Sequence, residues 1–138
     1  MKSEALASEA ERIFGENVNV TIEGKRHLGA VIGAKNYKDQ FCNEKISKWK
    51  EEIEILTEIA KCQPQSAYIA FTKGYKSKFT YFMRTIESFE DYTDPIDKAI
   101  TELFLPTLFG QTEPLPEDLC RLFTLSPAQG GLGLPALK

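Results

Sequence analysis

An α+β fold, mostly helical, is predicted by three periodicities in the 138-residue sequence. Val18, Val20 and Ile22 alternate with polar residues, and a second β-like apolar run covers Arg26 to Ile32, which together suggest a β-hairpin. From Cys42 the period changes. Ile46, Trp49, Ile53, Leu56 and Ala60 follow at steps of four, three, four, three and four, the spacing of one helix face. Tyr68, Phe71, Tyr75, Phe79, Phe82 and Ile86 then recur at steps of three or four, which marks another helix.

Each element has local signals. Ser3 to Phe14 carries Leu6, Ala10 and Ile13 at helical spacing and stops at Gly15, so a short helix opens the chain. In the hairpin that follows, Gly24 with Lys25 is the expected turn. A long helix should run from Asn36 to about Cys62, because Pro64 disfavours helical geometry at Gln63 while suiting the first turn of a new helix. Two antiparallel helices follow from so short a connection. Gly74 costs about 1 kcal/mol in a helix interior, so the second helix either packs closely there or bends. Asp94 with Pro95 opens a third helix that reaches Leu105 or Phe109, with a kink expected at Pro106. Beyond Gly110, prolines at 114, 116 and 127 leave room for one short helix from Glu117 to Phe123. The ending GGLGLPALK reads as a turn that leads into further structure, and hence as part of a longer protein. The expected organisation is 1–33, 34–110 and a Pro/Gly-rich segment at 111–138.

Composition narrows the function. The net charge is -3 and the isoelectric point about 5.3, which excludes the overall basic balance of an autonomous DNA-binding module and confines any polyanion contact to a local patch. Charge is segmented: 25–50 and 73–84 are basic, 51–58 and 87–102 acidic. Cys42, Cys62 and Cys120, odd in number and widely spaced, fit neither a disulfide framework nor a zinc knuckle, so reduced thiols in an intracellular protein are expected. There is no secretory h-region and no apolar run long enough for a membrane span, so no membrane association is expected.

No catalytic constellation can be assembled. His27 is the one histidine and sits in an expected strand; Glu90–Asp91 and Glu117–Asp118 lie at expected helix starts, where acids meet the helix dipole. Gly130, Gly131 and Gly133 lack the Lys-Ser/Thr and the helix start of a phosphate loop. No cofactor or metal is therefore expected. What remains is the stretch 65–86, where Lys73, Lys76, Lys78 and Arg84 interleave with aromatics and no acid intervenes until Glu87. The aromatics read as the core face of the helical pair. The cations read either as a solvated face or as contacts to a nucleic-acid backbone.

The runs GKRHLGAVIG (24–33), CQPQSAYIAFTKGYKSKFTYFMRT (62–85), DPIDKAI, LFLPTLFGQ and LCRLFTLSPAQGGLGLP resemble the region downstream of the catalytic palm in reverse-transcriptase-like proteins of retrotransposons. The resemblance covers nearly the whole chain. It implies that residues up to Gly33 are the last palm elements, with Leu28–Gly29 on the primer side, and that 34–110 is thumb-like. It also implies that Lys73, Lys76 and Arg84, with Lys25 and Arg26 as second candidates, hold an RNA or DNA template–primer duplex beside an upstream palm domain. Polymerases of this type bind two magnesium ions on an aromatic-x-Asp-Asp turn. No Asp-Asp pair occurs here, so magnesium would belong to the missing palm and the chain is not catalytic by itself. A helical interaction or structural module built on 42–60, without nucleic-acid binding, is the alternative; an unrecognised small enzyme is disfavoured.

Overall fold

The computed structural model describes residues 2–15 and 19–135, and forms two compact units, Met1–Cys42 and Asn43–Lys138. It is mostly helical, with an N-terminal helix, one two-stranded antiparallel hairpin and a helical body, as the periodicities predict.

In the first unit α1 spans Lys2–Phe14, with Leu6, Ile13 and Phe14 exposed. The hairpin is shifted from its expected place. Strand β1 is Gly24–His27 and β2 is Ala30–Gly33, so the turn is Leu28–Gly29 and Gly24–Lys25 lies inside a strand. The residues at 17 and 18, at the start of the expected first strand, lie outside the described residues, and Asn19 to Glu23 form no strand. The reason is backbone handedness. Leu28 and Gly29 both take positive φ, 49° and 90°, the two-residue turn whose twist matches that of the strands. At the open end Gly24 faces Gly33, and a Cβ on Gly33 would fall 2.2 Å from the Gly24 Cα. The Tyr37 ring lies against the same glycine pair, where a Cβ on Gly24 would meet its Cδ1 at 2.6 Å.

Helix α2 runs Lys35–Cys62 and ends before Pro64. In the second unit its stripe of Ile46, Trp49, Ile53, Leu56 and Ala60 is buried. The chain turns at Gln63, whose N–H still bonds the Ile59 carbonyl at 2.8 Å, and resumes as α3, Pro64–Ala70. Five residues of π-helix, Phe71–Tyr75, link α3 to α4, Lys76–Thr85. Of the two readings of Gly74, close packing is ruled out. A Cβ on it would meet nothing within 4 Å, so no close packing requires the glycine, and it sits inside the widened turn. Phe71, Tyr75, Phe79 and Phe82 are buried through and beyond the wide turn.

A 3₁₀ turn, Phe89–Tyr92, precedes α5, Asp94–Lys98. Thr93 rather than Asp94 occupies the cap position, and its carbonyl accepts from the N–H of Ile96 and Asp97. A second π segment, Ala99–Phe104, leads into α6, Leu105–Leu108. This π segment ends two residues before Pro106, which lacks an N–H and lies in the first turn of α6. Phe104 packs on Phe71 with ring centroids 4.8 Å apart, so the two π segments meet in the core. Helix α7 covers Glu117–Thr124, and Phe123 stacks on Phe109 at 4.7 Å.

The segment from Leu125 folds back on α7 and α3. Gly133 N–H donates to the Leu125 carbonyl at 2.8 Å, Leu132 and Leu134 both donate to the Phe123 carbonyl, and the Tyr68 hydroxyl donates to the Leu132 carbonyl at 2.7 Å. Gly131 permits the reversal, since a Cβ there would lie 2.1 Å from the Leu125 carbonyl oxygen. Gly131 is thus the closely packed glycine of this turn, whereas a Cβ on Gly130 would meet nothing within 4 Å.

Candidate nucleic-acid interface

Helix α4 divides its residues cleanly. Phe79 and Phe82 face inward, where Trp49 meets them edge-on with centroids 5.4 and 4.8 Å away, while Lys76, Thr80 and Arg84 follow one another at steps of four along the solvent side. Lys73 is exposed in the π segment that precedes them.

Two of the expected cations come together. Lys76 and Arg84 line one groove of about 420 Å³ whose far wall is the returning segment, with Thr124, Ser126, Pro127 and Leu134. The Lys76 ammonium donates across it to the Gly133 carbonyl at 3.4 Å. Among the described residues no carboxylate lines the groove, which there carries two positive charges. A cleft elsewhere on this unit shows the contrast: Lys50 and Lys98 there face Glu54, Asp94 and Glu102.

Lys73 is outside that lining. Lys78, the fourth cation of the stretch and not among the expected contacts, is engaged by its neighbours. Its ammonium lies 3.5 Å from Glu52 Oε2 and 4.8 Å from the centroid of the Tyr75 ring, and the Tyr75 hydroxyl donates to the same carboxylate oxygen. Partial burial alone would raise the Glu52 carboxyl, but the Tyr75 hydrogen bond and the Lys78 charge together hold it below its ordinary value. The Tyr75 hydroxyl is pushed well above the usual phenol value, first by burial and then by its bond to the anionic Glu52.

Lys25 and Arg26 are exposed on β1 in the first unit. As adjacent strand residues they project to opposite faces of the ribbon, Lys25 opposite Ile32 and Arg26 opposite Val31. They therefore do not form a single patch.

Sequence reasoning missed the groove's second wall. Thr124, Ser126 and the carbonyl of Gly133 are brought to α4 by contacts spanning some fifty residues, and the only local signal was the density of turn-forming residues in SPAQGGLGLP. Among the described residues no cluster of histidine, cysteine and acidic side chains could hold a metal ion, and no helix is long and apolar enough to cross a membrane. The three thiols are unpaired; Cys42 is buried, and burial raises its pKa, as burial followed by Glu117 does for Cys120. Compared with protein-family models, curated proteins and solved structures, the chain matches none.

Proposed function

We propose that this chain is the thumb-like, nucleic-acid-holding part of a retrotransposon-type reverse transcriptase, non-catalytic by itself, which grips the backbone of a template–primer duplex. The observation that carries the reading is the groove on α4: Lys76 and Arg84 share it with no carboxylate among the described residues, and Lys73 adds a third exposed cation along the same helical run. Phosphate contacts of this kind position a duplex and do not read its sequence. The resemblance of 24–33 and 62–85 to the region after the palm supports the same assignment, and Lys25 and Arg26 supply further cations on the hairpin.

Fluorescence anisotropy with labelled DNA and RNA–DNA duplexes at low salt tests it. Binding should be weak, with Kd on the order of 10⁻⁴ to 10⁻⁶ M, little sequence preference and a steep loss with salt. Replacing Lys73, Lys76 and Arg84 by Ala should weaken every duplex alike and flatten the salt slope by roughly two to three units. Unchanged affinity in the triple variant overturns the proposal.

A second reading, a helical interaction module, has its own observation. The 42–60 stripe is already buried, but Ile55 and Ile59, one turn apart on α2, stay 61% and 43% exposed, with Cys62 exposed on the following turn. A mass that rises with concentration in light scattering, and is restored to that of one chain by Ile55→Lys, would favour it.

A further inference from the structure

The groove beside α4 has more chemistry than a phosphate clamp requires. Apolar residues line it as well, Met83 from α4 and Leu134 and Pro135 from the returning segment. Its three hydroxyls have already placed their protons: Thr80 donates to the Lys76 carbonyl at 2.8 Å, Thr124 to the Arg121 carbonyl at 2.8 Å, and Ser126 to the Gln129 side-chain oxygen at 3.1 Å. Such oxygens are left as acceptors. They would meet N–H groups, while an anion is left to Lys76 and Arg84 alone. A ligand that suits all three zones therefore has an anionic group, a flat apolar face and N–H donors at its edge. A nucleotide has these features, and a volume of about 420 Å³ is within the range of small-ligand clefts.

A base inside a duplex cannot use such a site, because its faces are stacked and its pairing edge is occupied. An unpaired base can, since its faces and edge are open to protein side chains. We propose that the groove between α4 and the returning segment seats one unpaired nucleotide of a bound strand, its phosphate on Lys76 and Arg84 and its base against Met83 and Pro135, which are half-buried. The proposal rests on the nucleic-acid reading and adds that the preferred partner carries a single-stranded extension.

The test uses the whole chain and three labelled probes: a blunt duplex, the same duplex with a short single-stranded extension, and that extension built from abasic sugar–phosphate units. The natural extension should strengthen binding by about five- to tenfold over the blunt duplex, the lower part of what base stacking contributes. The abasic one, with the same phosphates, should recover much less of the gain, and Met83→Glu should remove the gain by placing a carboxylate in the groove. Equal affinities for natural and abasic extensions overturn the seat for a base, and leave the backbone grip standing if the blunt duplex still depends on Lys73, Lys76 and Arg84. Binding of none of the three probes overturns both. A phosphotyrosine peptide that displaces the extended duplex at lower concentration than a nucleoside monophosphate does would overturn the nucleotide assignment in favour of a protein ligand.

Discussion

The Trp49 indole stands edge-on to the Phe82 ring, with centroids 4.8 Å apart and planes at 84°, and makes similar contacts to Phe79 and Phe89. Three elements thus meet on one side chain: α2, α4 and the 3₁₀ turn at Phe89. Trp49→Ala should cost about 3 to 5 kcal/mol, as truncation of a large core aromatic does. Urea denaturation followed by circular dichroism measures this, and the native tryptophan emission should be blue-shifted. Emission at the wavelength of free indole in water would count against the packing.

Acid should weaken the protein through Glu52. Its carboxyl is held below its ordinary value of 4.5 in the folded chain, so the unfolded chain binds the proton more readily. The stabilisation is present above that value and is lost as pH falls through and below it. Glu52→Gln should flatten the loss of stability on acidification, measured as Tm against pH. An unchanged acid limb would show that the Tyr75–Glu52–Lys78 cluster contributes nothing to it.

At alkaline pH the sign reverses for Tyr75, whose folded-state pKa is raised above the usual 10. Stability should be full below pH 10 and fall above it, as the unfolded phenol ionises first. Tyr75→Phe should show a smaller fall than the parent chain when Tm is followed upward in pH.

Substitution at the hairpin tip should stabilise. Leu28 holds a left-handed conformation, φ 49°, that costs a branched residue roughly 1 kcal/mol, and its side chain is 84% exposed. Leu28→Asn should slow hydrogen exchange at the amides of β1 and β2. Faster exchange would mean that the leucine contributes more than its backbone costs.

Gly131→Ala is expected to act in the opposite direction, loosening the returning segment by about 1 to 3 kcal/mol as a small-to-large change in a packed site does, since the new methyl would meet the Leu125 carbonyl. Limited proteolysis after Thr124 reads out the effect. A cleavage rate equal to that of the parent chain would contradict it.

The helices were legible because burial imposes its period on the sequence. Trp49, Ile53, Phe79 and Phe82 read as core from spacing alone and are core. The hairpin was misplaced because Gly24 is there for a close approach to Gly33 and Tyr37, and a glycine in a sequence does not state which of its uses is in force. Lys76 and Arg84 were legible as surface cations of one helix. Their shared groove was not, because its other wall comes from the far end of the chain, and no local pattern encodes that meeting. Lys78 was left out of the expected contacts, but its pairing with Glu52 on α2 was not legible in the sequence.

The wide turns at 71–75 and 99–104 also bear on how the chain tolerates changes in length. In a regular α-helix, losing one residue rotates everything after it by about 100° and moves a buried face into water. A π segment already carries one residue more than its α-helical counterpart, so excising Gly74, whose removal takes no side chain from the core, would convert that turn to ordinary α-helix and leave Phe79 and Phe82 facing Trp49. Phe71–Tyr75 is thus a place where the reading frame of the helix can shorten by one without scrambling the core, whereas the same deletion at Ser77 or Thr80 in α4 would turn the remainder of that helix inside out.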